Sequence, residues 1–296
     1  MAEITAQMVK ELREKSGAGM MDCKKALTES AGDFQKAMNL LRERGEAIQL
    51  KRSGRVAKEG LIVAKVAADG RSGALIELNS ESDFVARNDD FKALADRLAA
   101  HALNSGADGD LNETQLDGQQ VSELLKSSVG KIGENIKLSR SAKLETTDGV
   151  IVSYIHPPGK IGVLVEIATG NGSHANDAQF QQFARSIAMH VAATSPLCVS
   201  RTEVPSAALD NEKEVYRKQA LNEGKPEKIV DKIVEGRVAK YYGEVCLLEQ
   251  AYVQDPDQKV EQYVKQAGGK FGGEVGVKRF VRYQLGEGAK AEGGEE

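Results

Sequence analysis

The amino-acid sequence predicts an α+β protein with an N-terminal helical bundle, a duplicated core with small antiparallel sheets, and an inserted antiparallel helical hairpin. Three observations support this class. The first 45 residues show only helical spacing of apolar residues. Two later segments match each other at a fixed offset, and each has the pattern of two strands followed by a helix. A further segment contains two helical stretches joined by a short turn. Helices and strands in separate runs favour α+β packing.

Residues 1–54 are predicted to form a three-helix domain of the ubiquitin-associated type. Apolar residues recur at helical spacing in three short stretches, which contain Met8, Val9 and Leu12, then Met20, Cys23 and Leu27, then Phe34, Ala37, Met38 and Leu41. Asp33 precedes the third stretch, and its carboxylate can accept hydrogen bonds from the free amides of a first helical turn. The stretch RERGEAIQLKRSGRVAKEG then begins at Arg42. It is predicted to be a solvated linker, with a basic contact surface as the alternative.

An internal duplication follows the bundle. Shifting the sequence by 89 residues aligns residues 60–102 with residues 149–191 without a gap, and twelve aligned positions are identical. Each copy predicts a strand, a glycine-containing turn, a second strand, a loop and an amphipathic helix. Core subdomain 1 is placed at residues 55–148. Core subdomain 2 is placed at residues 149–202 and 244–286, and the two copies are expected to superpose.

The remaining segments complete the two subdomains. Residues 121–132 predict a helix, and the alternating stretches IKLSRSAKLE and VKRFVRYQLG predict strands, the second returning to the second sheet. Residues 203–243 predict a projecting helical hairpin, with Gly224 and Pro226 at its turn. The apolar residues expected to meet across it are Leu209, Tyr216 and Ala220 on one helix and Ile229, Ile233 and Tyr241 on the other. Residues 287–296 offer nothing to bury and are predicted to be disordered.

Composition argues against several classes of function. The net charge is −4, Trp is absent and aromatic residues make up 5%, so neither a basic field nor a stacking platform for nucleic acid is indicated. No apolar run approaches about 18 residues, and the N-terminus lacks a signal-peptide core. The cysteines Cys23, Cys198 and Cys246 are widely spaced without a C-x-x-C pair, which argues against a disulfide framework or zinc site. A reduced, cytoplasmic protein is expected.

Cofactor and catalytic motifs are also missing from the sequence. The segment GGKFGG at residues 268–273 has Phe271 where a phosphate-binding loop needs Ser or Thr. His101 and His190 occupy equivalent positions in the two copies, which favours a shared packing role over catalysis. Cys23 is expected to be a small buried side chain. No catalytic residue, metal site or cofactor is therefore expected.

One aromatic residue lies where a polar loop is predicted. Phe84 lies in NSESDFVARNDDF, directly after the apolar run GALIELN, which predicts a buried strand. In the second copy, Ser173 takes the place of Phe84 and Gly172 that of Asp83. The repeated scaffold therefore does not require an aromatic ring there. We interpret Phe84 as a contact for another protein, with packing into its own core as the alternative.

Several stretches together resemble the translation elongation factor Ts family. They are VKELREKSGAGMMDCKKALTES, ELNSESDFVARNDDF, KIGENI, YIHPPGKIGVLVE, IAMHVAA and GKPEKIVDKIVEGR, which between them cover nearly the whole chain. The resemblance implies a guanine nucleotide exchange factor for elongation factor Tu, which is not an enzyme. It also implies the architecture predicted above, binding to the GDP-bound and nucleotide-free partner, no membrane contact and no direct nucleic-acid contact. Self-association through the hairpin is a further expectation.

The resemblance also implies which residues touch the partner. Ser82, Asp83, Phe84 and Val85 correspond to the family element that enters the partner's nucleotide domain and displaces its magnesium ion. Ser82 stands where the family usually has Thr, which keeps the hydroxyl. The other implied contacts are Leu12, Met20 and Lys24 in the bundle, Ile132, Gly133 and Asn135 in the first core subdomain, and His156 in the second.

Two other classes of function stay open on the sequence alone. One is an RNA-binding accessory protein of translation that uses the basic stretch between Arg42 and Lys58, for which RNA binding would fall steeply with salt. The other is an enzyme that uses Cys23 as a nucleophile with a histidine as its base.

Overall fold

The structure is a computed structural model that describes residues 4–16, 18–52, 55–106, 109–169, 177–271 and 273–287, with only the backbone for residues 45–52. Its mixture of helices and small antiparallel sheets confirms the predicted α+β class. Within these ranges, no helix combines the length and the apolar character that crossing a membrane requires. Apart from Glu287, the predicted disordered tail lies outside the described residues.

The chain divides into two compact units. The first is formed by residues 1–63, 76–142 and 284–296, and the second by residues 64–75 and 143–283. The division into five parts that the sequence suggests stays a prediction.

Three helices open the first unit, namely α1 (Ala6–Ser16), α2 (Met20–Glu29) and α3 (Phe34–Arg52). They share a small core that contains Val9, Leu12, Cys23, Ala26, Leu27 and Ala37. Asp33 accepts a hydrogen bond from the backbone amide of Lys36 at 3.0 Å, so the predicted helix cap is confirmed. The similarity of these helices to a ubiquitin-associated domain stays a prediction.

The linker interpretation was wrong for the first part of the basic stretch. Helix α3 continues through Arg52, so the residues from Arg42 to Arg52 are helical. Apart from Gly45, this segment is built from residues with good or moderate helix propensity, which continue the helix at little cost. Arg42 contacts Glu123 at 3.6 Å and Arg44 contacts Glu29 at 2.5 Å, so acidic side chains offset both charges.

The first copy of the duplication begins with β1 (Glu59–Val66) and β2 (Ser72–Ser80), followed by the helices α4 (Asp83–Arg87) and α5 (Asp89–Asn104). The short strands β3 (Gln115–Leu116) and β4 (Gln119–Gln120) pair antiparallel before α6 (Val121–Ile132). Strand β5 (Lys137–Glu145) completes a sheet of order β1-β2-β5. The helix and strand predicted between the two copies are therefore confirmed.

The second copy contains β6 (Gly149–His156), β7 (Ile161–Thr169) and α7 (Ala178–Thr194). Strands β6 and β7 are antiparallel, and they form a core with α7 that includes Val163, Val165, Phe180 and Ile187. After the hairpin come β8 (Ala251–Tyr252), β9 (Asp255–Lys259), α10 (Val260–Phe271) and β10 (Val275–Gln284). The sheet order is β10-β7-β6, so the predicted returning strand is confirmed.

The elements of the two copies recur at the offset seen in the sequence. Shifting Ser72–Ser80 by 89 residues gives the bounds of β7. Gly60 and Gly149, which align in the repeat, are both required because the backbone of the neighbouring strand lies too close for a side chain. A Cβ on Gly60 would lie 2.1 Å from the carbonyl oxygen of Leu78, and one on Gly149 would lie 2.7 Å from that of Ile167. The loop residues 170–176, including Gly172 and Ser173, lie outside the described residues, and superposition of the copies stays a prediction.

The hairpin consists of α8 (Ser206–Asn222) and α9 (Glu227–Val245). Gly224 has a φ of 72°, a conformation that favours glycine, and Pro226 directly precedes α9. The helices bury Ala220 against Val230 and Val234. The expected inward position of Ile229 was wrong, since it is 44% exposed. Position 229 is one residue off the face that meets α8, and one residue turns a helical side chain by about 100°.

Candidate functional site

Phe84 is exposed on a short helix. The segment predicted as a loop forms α4 directly after the buried strand β2. The Phe84 side chain is 80% exposed, the highest value for a large hydrophobic residue in the described part of the chain. Packing of Phe84 into its own core is therefore excluded, and the ring is available to a partner.

The burial of Ala86 explains why Phe84 points outwards. Ala86 is 7% exposed, whereas Phe84, two residues earlier, is almost fully exposed. Residues two apart on an α-helix lie about 200° apart around its axis, so they face opposite sides. Anchoring α4 through Ala86 therefore turns the Phe84 ring to solvent, and Val85 between them is half-buried.

Local hydrogen bonds hold the two ends of α4. Ser82 is the N-cap residue, and its Oγ accepts from the backbone amide of Val85 at 3.5 Å. Arg87 donates to Asp83 Oδ2 at 2.7 Å, which joins the first and last residues of the helix. Asn88 then caps α5 by accepting from the amide of Asp90 at 2.8 Å. The direction of α4 is thus defined from both sides.

A second segment reaches the start of α4 from the end of α6. Glu134 accepts from the backbone amide of Ser82 at 2.9 Å and from its hydroxyl at 2.6 Å. Glu81 accepts from the amide of Asn135 at 2.7 Å and from Arg55 at 3.1 Å. We call Glu81, Ser82, Glu134 and Asn135 the clamp. It joins two segments about fifty residues apart in the sequence.

Gly133 positions the second half of the clamp. It ends α6 with a φ of 84°, and its amide donates to the carbonyl of Val129 at 2.8 Å. A left-handed residue at this point turns the chain away from the helix axis, and glycine adopts it without a steric cost. The next two residues, Glu134 and Asn135, can then face the start of α4.

The predicted contact residues are distributed unevenly between surface and core. Met20 is 57% exposed and Lys24 is also exposed, both on α2. Leu12 is fully buried in the core of the bundle, and Asn135 is 8% exposed, with its side chain donating to the carbonyl of Arg55 at 2.9 Å. Ile132 is half-buried.

His156 belongs to the second unit, at the end of β6. It is exposed, and its Nδ1 lies 2.9 Å from the hydroxyl of Tyr154. The side chain is therefore open to solvent on one side and oriented by Tyr154 on the other.

Two histidines and one cysteine, His101, His190 and Cys23, serve packing rather than exposed chemistry. His101 lies 2.6 Å from the Thr114 hydroxyl, and His190 is fully buried beside Gln250 at 2.9 Å. Cys23 is buried in the bundle core and contacts Ser16 at 3.6 Å, which gives a nucleophile no open path to a substrate. Both findings agree with the predicted packing roles.

Folding brings together two cysteines that are far apart in the sequence. The sulfur atoms of Cys198 and Cys246 lie 3.8 Å apart at the base of the hairpin, and both thiols are free. Burial raises the pKa of both thiols, that of Cys246 to about 12. Both groups therefore stay protonated at neutral pH, which makes them weak nucleophiles.

The sequence singled out neither Glu81 nor, more importantly for the position of Ser82, Glu134. Its neighbours Ile132, Gly133 and Asn135 were implied by family resemblance, but no local pattern shows that Glu134 meets Ser82. The only available signal was its position directly after a glycine that ends a helix.

Nearly the whole chain is similar in sequence to known proteins. The sequence model of the family described as "Elongation factor TS" matches residues 81–287. The chain is 48% identical to the "Elongation factor Ts" of Clostridium botulinum (strain Alaska E43 / Type E3) over 288 residues, 96% of this chain and 94% of that protein. It is 47% identical to the "Elongation factor Ts" of Prosthecochloris aestuarii (strain DSM 271 / SK 413) over 292 residues, 97% and 100% of the two chains.

Proposed function

Because the chain belongs to the elongation factor Ts family, we propose that it is the guanine nucleotide exchange factor for elongation factor Tu. Membership of the family supports a role in translation elongation and protein biosynthesis. The proposal concerns the mechanism: the factor binds Tu·GDP, accelerates GDP release and stabilises the nucleotide-free partner. It makes and breaks no covalent bond, so it is not an enzyme.

The exposed ring of Phe84 is the observation that carries this proposal. Burial of a large, exposed apolar side chain by a partner stabilises the complex. We place it as a wedge in the nucleotide domain of elongation factor Tu, with Ser82 and Val85 as flanking contacts. Burial of the ring there displaces the side chains that support the magnesium ion.

Asp83 adds an electrostatic contribution. Its carboxylate is about half exposed and accepts from Arg87. Near the nucleotide it opposes the approach of the phosphates, which carry the same sign of charge. A bound magnesium ion is the main counter-charge of those phosphates, so its displacement weakens nucleotide binding.

The wedge supplies only part of the binding energy. Burying one Phe side chain contributes about 1.5–3 kcal/mol, or roughly one to two decades of affinity. Exchange requires that the factor bind the nucleotide-free state more tightly than the loaded state, and the coupling is reciprocal. A wider surface must provide the rest. We assign Met20, Lys24, Ile132 and Gly133 to this surface on the first unit, and His156 to a separate contact made by the second unit.

Two residues implied by the resemblance act from inside the protein in this proposal. Leu12 holds α1 within the bundle core, and Asn135 holds the clamp through Arg55 and Glu81. Each therefore maintains the shape of the contact surface and does not itself touch the partner.

The alternatives have less support. The arginines at the start of the basic stretch are offset by Glu123 and Glu29, which reduces the charge available for RNA phosphates. The buried thiol of Cys23 lacks access to a substrate.

The decisive experiment measures release of fluorescent GDP from elongation factor Tu after addition of excess unlabelled GDP. The protein should accelerate release in proportion to its concentration and then saturate. Release that is the same with and without the protein would reject the proposal.

A further inference from the structure

We propose that Glu134 is a positioning residue for the Phe84 wedge, because its carboxylate orients Ser82 and thereby sets the direction of α4. This inference rests on the proposed exchange function, whereas its effect on α4 can be measured without any partner.

Both oxygens of Glu134 bind the same residue. Oε2 accepts from the backbone amide of Ser82 at 2.9 Å, and Oε1 accepts from its hydroxyl at 2.6 Å. Hydrogen bonds to an ionised carboxylate are shorter and stronger than neutral ones. Two of them to one residue define a direction as well as a distance, so Ser82 cannot rotate without breaking at least one.

The hydroxyl of Ser82 transmits this orientation to α4. A hydroxyl has a single hydrogen and two acceptor lone pairs. Because the hydrogen points to Glu134, a lone pair is left to accept from the backbone amide of Val85 at 3.5 Å. Glu134 thus determines which way the N-cap side chain faces the first turn of α4, and Phe84 lies in that turn.

The support behind Glu134 is itself fixed. Gly133 ends α6 in a left-handed conformation, so Glu134 follows directly from the end of a helix. The neighbouring amide of Asn135 is bonded to Glu81, the residue before Ser82. The consecutive residues Glu134 and Asn135 therefore hold the consecutive residues Ser82 and Glu81 at the start of α4. Two neighbouring attachments of this kind oppose rotation of α4 and of the Phe84 ring that it carries.

Substitutions at Glu134 and Ser82 can separate the effects of the carboxylate charge, of the individual hydrogen bonds and of general protein stability. Glu134→Ala removes both acceptors. Glu134→Gln keeps one acceptor for the Ser82 amide and offers an N–H to the Ser82 oxygen, so it should rescue partially. Ser82→Ala keeps the backbone bond alone, and Ser82→Thr keeps all three interactions. Glu123→Ala is the matched control. Glu123 also lies on α6, but its carboxylate contacts Arg42 at 3.6 Å and is not part of the clamp.

The first measurement uses the free protein. Hydrogen exchange followed by mass spectrometry should show faster exchange of the backbone amides at residues 83–88 in Glu134→Ala. The change should be smaller in Glu134→Gln and absent in Glu123→Ala and Ser82→Thr. Unchanged exchange at these residues in both Glu134 variants would overturn the inference, whatever the outcome with elongation factor Tu.

The second measurement uses GDP release from elongation factor Tu. Glu134→Ala should lower the maximal release rate by about tenfold, with a smaller change in the half-saturating concentration, because the wedge acts after the first encounter. In a Phe84→Ala background, Glu134→Ala should add little. If the double variant lowered the maximal release rate by the product of the two single-variant factors, Glu134 would not act through Phe84, and the inference would be overturned. A normal rate for Phe84→Ala alone would instead reject the wedge in the proposed function.

Discussion

The side chain of Arg140 donates from Nε to the carboxylate of Glu77 at 2.7 Å, and Glu77 is only 1% exposed. The same pair occurs in the second copy, where Arg279 donates from Nε to Glu166 at 2.6 Å. Glu77 and Glu166 are 89 residues apart, the offset of the duplication. Each arginine lies on the third strand of its sheet, β5 or β10, so the two sheets share this ion pair outside the segment in which the sequences align.

The buried pair predicts a strong effect on stability. Replacing Glu77 with Ala removes the carboxylate that accepts from Arg140, from the Asn79 side chain at 3.0 Å and from the Gly286 amide at 2.8 Å. A buried donor that loses its acceptor costs about 1–3 kcal/mol. Urea unfolding followed by circular dichroism should show this loss. Arg97→Ala is the control: its pair with Asp117 is exposed, so the loss should stay below about 1 kcal/mol. Equal losses in the two variants would contradict the assigned role of Glu77.

The exposed position of Phe84 predicts a functional loss without a stability loss. Phe84→Ala should lower GDP release by roughly one to two decades, the value of one buried Phe side chain. Its melting temperature should match that of the unmodified protein, because the ring has few contacts to lose. Asp83→Ala should act in the same direction with a smaller effect.

Two controls accompany the Phe84 prediction. Ile229→Ala removes another exposed apolar side chain, on the hairpin, and should leave release unchanged. Ser173→Ala alters the counterpart of Phe84 in the second copy, outside the described residues, and should also do little. A melting temperature that falls in Phe84→Ala as it does for a core truncation would contradict the wedge.

The hairpin should be dispensable for folding. Its apolar residues Ala220, Val230 and Val234 are buried against one another, so a short Gly/Ser linker in place of residues 209–240 should leave a cooperatively folded protein with partial exchange activity. Sedimentation analysis of the full and shortened proteins tests the expected self-association through the hairpin. A shortened protein that is unfolded would show that the hairpin belongs to the core.

His190 predicts a loss of stability in acid. Burial lowers its pKa below the usual value of 6.5, and the amide of Val253 donates to its Nδ1 at 3.2 Å, which favours the neutral ring. As pH falls through about 6.5, His190 binds a proton in the unfolded chain but stays neutral in the folded protein. The stabilising contribution of neutral His190 to the free energy of unfolding is therefore fully present above pH 6.5, and it is lost as pH falls towards the pKa of His190 in the folded protein.

The measurement is the free energy of unfolding between pH 7.5 and 5. His190→Gln should reduce the loss over this interval, because it removes the buried imidazole whose pKa is lowered. An identical pH dependence in His190→Gln and the unmodified protein would assign the acid sensitivity to other groups.

The sequence by itself determined the class of the fold and most of its elements. Strand alternation and helical spacing are properties of neighbouring residues, and the 89-residue repeat is a comparison of the sequence with itself. The elements β7, α6, β10 and both hairpin helices could therefore be predicted from the sequence. The repeat also identified Phe84 as a candidate contact, because the second copy has Ser173 in its place. The cap at Asp33 was predictable for the same local reason.

Only the tertiary structure decided which side chains meet. Glu134 reaches Ser82, and Cys198 reaches Cys246, across long stretches of chain, and no periodicity records such contacts. Leu12 belongs to the apolar face that the sequence predicted for the bundle, and the packing of three helices buries it completely, although the resemblance implied a partner contact. Phe84 is exposed because Ala86 is buried on the opposite side of α4. Local spacing sets the period of an element, but its rotation is set by the surfaces that pack against it, and those surfaces come from distant parts of the chain.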